Sequence, residues 1–285
     1  MRRLIACFSA AILLAAMAGP ALGASGGNSA DHATMWYLSL GDSLAAGVQP
    51  TGPNTSAPTD EGYAEQLLAL ARADGMKVRL IKLGCSGETT LTFIQGGKCP
   101  YEEGSQLAQA LVLIKAHKDN IAFITIDLGW NDFQGCDRPG VDLAECVADG
   151  MASVAARLPG ILTALRAAAG PAIPIVGATI YDPFLAVYLQ GDVATAHLSV
   201  DIIHAVDSFE IGIYSALGMA VADTEGAFHT SDWTPLVPTG FGPLPLNVAT
   251  ICAWTWKCTS PFFDNHANAA GYHAMAEAFA AKLGL

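Results

Sequence analysis

The sequence predicts an α/β fold built on a mainly parallel five-stranded sheet covered by helices on both faces. Three observations predict it. Short β-prone runs alternate with longer apolar-periodic stretches along the chain. The 285 residues are 52% hydrophobic, ample for a buried core in one α/β domain. No internal repeat, low-complexity tract or linker breaks the pattern, so residues 24–285 read as a single domain.

The elements follow in order. Met35–Leu40 reads as the first strand. Tyr63–Asp74 reads as a helix ended by Gly75, and Val78–Leu83 as the second strand. Ser105–His117 reads as a helix with Ser105 as its cap, followed by the strongly β-prone third strand Ile121–Leu128. Leu143–Ala169 is helical, with a break expected at Pro159-Gly160. Ile173–Ile180 is the fourth strand, Ser199–Leu217 a long apolar-periodic helix and Met219–Asp223 a fifth strand. Residues 224–262 read as a long irregular stretch, and Asn268–Leu283 as the closing helix.

The first residues read as a secretory signal. Arg2 and Arg3 precede an apolar run from Leu4 to about Ala18, and Ala21-Leu22-Gly23 supplies small residues before a cleavage point near Ala24. The run is short for a membrane span of roughly 20 residues, and Gly19-Pro20 ends it. The expectation is therefore a leader over 1–23, an extracellular protein and no stable membrane anchor. Cys7 lies in that leader; the other cysteines fall as three close pairs, Cys85 with Cys99, Cys136 with Cys146, and Cys252 with Cys258. Export permits disulfides, and short loop closure favours pairing neighbours, so three local bridges are expected. No Cys-x-x-Cys occurs, which disfavours a zinc ribbon or a thioredoxin-like redox pair. The formal charge of −12 comes with no basic stripe, which argues against a nucleic-acid partner.

Three unusual segments sit at strand ends: Gly41-Asp42-Ser43-Leu44, Gly84-Cys85-Ser86-Gly87-Glu88-Thr89 and Gly129-Trp130-Asn131-Asp132. Ligands of open α/β sheets bind beyond the carboxyl ends of the strands, and in a 2-1-3-4-5 order the first strand lies between the second and third. With strands about 4.8 Å apart, the three loops meet at one edge with Ser43 in the middle. A serine hydroxyl needs a base to become a nucleophile. A helix start at Leu44–Gly47 would turn backbone N–H groups toward an oxyanion. Gly87 offers an N–H without a Cβ in the way, and Asn131 offers a neutral amide donor. Each segment alone also fits an ordinary turn or cap; the combination is what points to chemistry. A histidine, His266, stands just before the closing helix.

Taken in order, Gly-Asp-Ser-Leu at 41–44, Gly87, Gly-x-Asn-Asp at 129–132 and His266 with its following Asn268-Ala269-Ala270-Gly271-Tyr272 cover nearly the whole chain after the leader. In this the sequence resembles the SGNH hydrolases, also called GDSL lipases and esterases. The resemblance implies a three-layer α/β/α sandwich of flavodoxin type and a carboxylic ester hydrolase. It implies Ser43 as nucleophile, His266 as base and then acid, and an oxyanion hole from the Ser43 N–H, Gly87 and Asn131. It implies an acyl-enzyme and neither metal nor cofactor.

One departure stands out. The family spacing is Asp-x-x-His, whereas here Phe263 occupies that position and Asp264 lies two before His266. Either Asp264 orients the imidazole as a third catalytic member, or a backbone carbonyl such as that of Phe263 does. Asp42 and Asp132 are expected to fix loop geometry. His266 and His273 are seven apart but no His-Glu-x-x-His occurs, so no metal site is expected. Lys98 follows two glycines but lacks the Ser or Thr of a P-loop. Trp233, Phe241, Trp254 and Trp256 in 224–262 either wall an acyl pocket beside His266, pinned by Cys252–Cys258, or fill a satellite core. The substrate is expected to be a lipid or other small-molecule acyl ester and the protein a monomer. The alternatives are a carbohydrate acetyl esterase and a secreted binding protein without turnover.

Overall fold

The computed structural model describes residues 34–285. The expected leader and Cys7 lie outside the described residues. In chain order the elements are β1 (Met35–Gly41), the antiparallel ribbon β2 (Val48–Gly52) and β3 (Thr55–Pro58), and α1 (Tyr63–Ala73). Then come β4 (Val78–Lys82), α2 (Thr90–Gln95), α3 (Gln106–Ala116), β5 (Ile121–Asp127) and α4 (Leu143–Ala169). β6 (Ile175–Ala178), α5 (Val193–Ala216), β7 (Ala220–Ala222) and α6 (Thr224–Ala227) follow. A second ribbon, β8 (Leu236–Thr239) with β9 (Gly242–Pro245), leads to α7 (Leu246–Trp254) and α8 (Ala269–Leu283).

Five strands form one parallel sheet in the order β4-β1-β5-β6-β7. The strands sort their side chains by the two-residue period of the pleat. Tyr37 of β1, Phe123 of β5 and Val176 of β6 face one core, shared with Tyr63, Leu67 and Phe279 from α1 and α8. Leu38, Leu40, Ile124, Ile126 and Ile175 face the other, shared with residues of α3, α4 and α5. Helices thus cover both faces, the three-layer arrangement expected. Each fully buried Leu, Ile or Phe contributes about 1.5–3 kcal/mol, so the two cores hold the layers together. The Tyr63 and Phe279 rings stack with centroids 4.8 Å apart, which joins α1 to α8.

Three expectations are corrected. First, α4 runs unbroken through Pro159. An internal proline costs about 3 kcal/mol, but Val154, Leu158, Ile161, Leu162 and Leu165 bury one continuous face across it, and that burial is larger. Second, Leu44–Gly47 forms a single turn rather than a helix start, closed by Ala46 N–H to the Asp42 carbonyl at 3.1 Å. Third, residues 224–262 are ordered into α6, the β8–β9 ribbon and α7. Pro235, Pro238, Pro243 and Pro245 sit in or beside the short ribbon, where an edge tolerates them.

Three disulfides staple loops at the sheet's C-terminal edge and beside α7: Cys85–Cys99, Cys136–Cys146 and Cys252–Cys258, with sequence separations of 14, 10 and 6.

Candidate active site

The parallel order puts the ends of β4, β1 and β5 side by side, and their loops are tied directly. The Cys85 N–H donates to the Gly41 carbonyl and the Asp42 N–H to the Asp127 carbonyl, each at 3.1 Å. Gly41 is the tightest point. Its φ is +132°, and a Cβ there would lie 2.1 Å from the Asp127 carbonyl oxygen, so only glycine fits. Gln106, fully buried on α3, brackets this residue with its side-chain amide. Its Oε1 accepts the Gly41 N–H at 2.7 Å and its Nε2 donates to the Gly41 carbonyl at 2.9 Å.

Asp42 then organises the turn. Its Oδ1 accepts the Leu44 N–H at 3.0 Å and its Oδ2 accepts Asn131 Nδ2 at 2.8 Å. The β1 and β5 loops are thereby locked together. Asp132 performs the same service between β5 and α2, accepting the Thr90 N–H at 2.7 Å and the Thr90 hydroxyl at 2.6 Å. Both acids act on loop geometry, as expected. Asp127 lies behind them, accepting from Tyr63 Oη at 2.8 Å and the Ala45 N–H at 3.2 Å.

Ser43, Gly87, Asn131 and His266 all border one cavity of about 970 Å³. Among the described residues, neither the Ser43 nor the Gly87 N–H has an acceptor. One hydrogen of Asn131 Nδ2 goes to Asp42, which leaves the second unclaimed. Free N–H groups beside a serine hydroxyl suit an oxyanion. Gly87 has a φ of +74°, and the Lys98 ammonium and its Cε lie where a Cβ on Gly87 would stand. The Ser43 hydroxyl contacts Asp42 Oδ1 at 3.4 Å, a long bond, and is not paired with the imidazole. Such contacts commonly tighten only when substrate binds.

His266 is held from several sides. Its carbonyl accepts the Trp256 N–H at 3.1 Å, and its Nδ1 meets Asp264 Oδ1 at 2.5 Å. Asp264, not the Phe263 carbonyl, is therefore the partner of Nδ1, which leaves Nε2 as the free ring nitrogen. The carboxylate also accepts the His266 N–H at 2.8 Å and the Ser56 hydroxyl at 2.5 Å. Burial pulls the Asp264 carboxyl upward, but the bonds and charge of His266 and the bonds from Ser56 outweigh it and bring it to about 2. Two supports were invisible in the sequence pattern: Ser56 on the β2–β3 ribbon, and Tyr181, whose hydroxyl donates to the Asn265 carbonyl at 2.9 Å. A hydroxyl pairing across 208 residues, as for Ser56, or 84, as for Tyr181, leaves no local signal.

Beneath the loops lies a nest of buried acids. Burial pushes Asp42 up and, with the Asp42 charge beside it, pushes Asp127 well above the carboxylate range. Glu210 on α5 is pushed well above it too, first by burial and then by Asp207, Asp132 and Asp42. Its Oε1 lies against Gly129, 2.2 Å from where a Cβ would be. Asp207 is raised to about 8, chiefly by burial. Neutral carboxyls let these groups share a small space. A second cavity of about 20 Å³ bordered by Asp42, Asp127 and Glu210 has room for one water.

The aromatics of 224–262 divide between the two alternatives, pocket wall and satellite core. Phe241 borders the main cavity, but Trp233, Trp254 and Trp256 do not. Trp254 stands edge-on to Phe228 at 5.4 Å within the core, and Trp233 stacks on His197 at 3.7 Å. The apolar wall comes instead from α5, the 3-10 segment Pro183–Gln190 and the turn Trp130–Phe133. On α5 the cavity residues are Thr195, Leu198, Ser199, Ile202, Ile203 and Val206, one stripe at helical spacing.

A serine at the end of the first strand of such a sheet, flanked by unpaired N–H donors and an acid-paired histidine, belongs to a carboxylic ester hydrolase. The model of the GDSL-like lipase/acylhydrolase family matches residues 39–274, and the chain belongs to that family. Among solved structures it is similar to Axe2, an acetylxylan esterase from Geobacillus stearothermophilus, at 16% identity and a TM-score of 0.52, covering 88% of this chain and 94% of that one. It is also similar to phospholipase A1 from Streptomyces albidoflavus NA297, at 20% identity and a TM-score of 0.50, covering 88% and 100%. At these identities the likeness is one of fold. Among curated proteins none matches the chain by sequence.

Two predictions follow from this geometry. Asp264→Asn replaces the acceptor of Nδ1 by an amide, and kcat is expected to fall on the order of 10³- to 10⁴-fold in an intact fold. A loss below about tenfold removes Asp264 from the catalytic set. The second concerns Asp207. Its folded value of about 8 lies above an unfolded value of about 3.9. Below that unfolded value the carboxyl is protonated in both states. As pH rises toward the folded value, only the unfolded state gives up the proton, so stability is lost through this window. Asp207→Asn keeps an acceptor for the Ile180 N–H, now met at 3.0 Å, and removes the ionisation. Urea unfolding of this variant is expected to depend less on pH between about 4 and 8; an unchanged slope would show that Asp207 ionises freely in the fold.

Proposed function

We propose that this protein is an exported serine esterase that cleaves long-chain acyl esters through an acyl-enzyme. The cavity carries the substrate reading. Its apolar limb, lined by Trp130, Phe184, Val187, Ile202 and Val206, belongs to the same volume of about 970 Å³ that Ser43 borders. An acetyl group occupies on the order of 100 Å³, scaling from about 30 Å³ for a water-sized group, and leaves most of that space empty. A long apolar chain fills it and contributes about 0.8 kcal/mol per buried methylene.

In this reading Ser43 Oγ attacks the ester carbonyl and His266 Nε2 takes its proton. The oxyanion is held by the Ser43 and Gly87 N–H groups and by Asn131 Nδ2. Collapse of the intermediate breaks the bond to the alcohol oxygen, which leaves with the proton from His266. Water then attacks the acyl-Ser43 ester, gives its proton to His266 and releases the acid, and the proton returns to Ser43 Oγ. Asp264 holds the ring so that Nε2 is the basic nitrogen throughout. Export is supported by the basic-apolar-small pattern of residues 1–23 and by the three disulfides. Among the described residues no helix is long and apolar enough to cross a membrane.

The test is hydrolysis of p-nitrophenyl esters from acetate to palmitate by the wild type, Ser43→Ala and Ile202→Trp. Ser43→Ala is expected to lose activity on every ester. Ile202→Trp fills the apolar limb, and the palmitate-to-acetate ratio of kcat/KM is expected to drop about tenfold or more. A wild-type profile peaking at acetate would overturn the long-chain reading in favour of an acetyl esterase.

A further inference from the structure

We propose that the mouth of this cavity docks on the surface of a neutral or zwitterionic lipid aggregate, with Phe241 and Phe263 as the inserting residues. The proposal rests on the long-chain reading above and concerns how such a substrate reaches Ser43.

Two exposed phenylalanines stand out among the described residues. Phe241 is 58% exposed and Phe263 60%, the only exposed aromatic side chains there. They lie on different elements, Phe241 at the tip of the β8–β9 ribbon and Phe263 in the loop before His266, yet both border the main cavity. Leu198 on α5, 48% exposed, borders it from a third element. Neither phenylalanine ring stacks on another ring among the described residues. Three apolar side chains from separate parts of the chain therefore ring one opening, and the apolar stripe of α5 continues inward from Leu198.

Phe263 is also held in an unusual backbone state. Its φ is +47°, a region that bulky residues rarely enter. The Phe262 and Phe263 N–H groups donate to the Thr259 carbonyl at 2.9 and 3.0 Å, and Asp264 is fixed to His266 and Ser56, so both neighbours pin the conformation. A strained residue that presents a phenyl ring to solvent beside a catalytic histidine is better explained by a contact it makes than by the fold, which gains nothing from that exposure.

The charge of the chain selects the surface. A formal charge of −12 repels anionic lipid. Arg138 and Lys257 border the cavity, but each has acid nearby: Asp137 is adjacent in the chain to Arg138, and Asp137 and Asp264 act on Lys257. Neither of these two cations offers an uncompensated charge at the cavity to an anionic bilayer. Apolar insertion into an uncharged or zwitterionic surface meets no such opposition, and it places the cavity mouth where long acyl chains reside.

The experiment is co-sedimentation of the exported chain, residues 24–285, carrying Ser43→Ala, which prevents turnover, with phosphatidylcholine and with phosphatidylglycerol vesicles. The same protein carrying in addition Phe241→Ser and Phe263→Ser is run beside it, and Phe241→Ser alone serves as a control that leaves the loop before His266 intact. Binding to phosphatidylcholine is expected to fall at least tenfold in the double replacement and severalfold in the single one. Binding to phosphatidylglycerol is expected to be weaker than to phosphatidylcholine at low salt. Absence of binding to phosphatidylcholine, binding that survives both replacements, or a self-associated species that disappears with them would each overturn the proposal. Hydrolysis of p-nitrophenyl palmitate separates the two readings. Cleavage without vesicle binding leaves the long-chain esterase standing and the docking surface refuted, whereas loss of the long-chain profile removes the premise itself.

Discussion

The site depends on a polar bracket at the end of β1. Gln106 grips both backbone groups of Gly41, and the Asp42 carboxylate ties the following turn to Asn131. These bonds decide where the Ser43 N–H and Oγ can be. They also explain a cost the fold carries: Asp42, Asp127 and Glu210 are buried together, which only works when burial keeps protons on some of them. Asp127 receives two donors and Asp42 at least two, so the ones most needed as acceptors are well supplied. Among the described residues Glu210 Oε1 has no hydrogen-bond partner, and it fills space beneath Gly129 instead.

The bracket in turn depends on strand order. With β1 between β4 and β5, Asp42 can reach Asn131, and Cys85 can bond Gly41. A different order would put at least one strand between these loops, a separation of about 10 Å, beyond any hydrogen bond. The Cys85–Cys99 bridge and the Asp132–Thr90 bonds then fix the loop that presents Gly87. The histidine arrives from the far end of the chain, and its loop is held by the Trp256 N–H, by Tyr181 and by the Cys252–Cys258 staple beside it.

The sheet and the site loops were legible because their demands are local. Short apolar runs between turn signals mark the five strands, aromatic in β1 and β-branched in β5, and close backbone approach marks Gly41 and Gly87. The disulfide partners were legible because they are neighbours. What escaped is nonlocal. The brace from Gln106 and the bond from Ser56 to Asp264 cross distances in the chain that leave no periodic trace. The break expected at Pro159 did not occur because burial on both sides of it outweighs the local preference. The aromatic stretch misled for a different reason. Trp254 and Phe241 have the same composition signal, yet one packs against Phe228 and the other borders the cavity. The stripe on α5 is the mirror case: it reads as core-facing, and part of it faces empty space.

Chemistry and substrate volume are therefore carried by different parts of the chain. The donors, the serine and the histidine sit on loops whose positions follow from strand order and a few polar bonds. The cavity wall sits on α5, the Pro183–Gln190 segment and the Trp130–Phe133 turn. The apolar side chains on that wall, Phe184, Val187, Ile202 and Val206 among them, can change size without touching the bracket around Gly41, since none of them contributes a bond to it. An acetylxylan esterase and a phospholipase A1 can accordingly share this sheet at 16% and 20% identity while differing in what they cleave. Under the proposed mechanism the loops at the sheet edge fix where the ester carbonyl lies, and the α5 residues that border the cavity limit the length of chain that follows it.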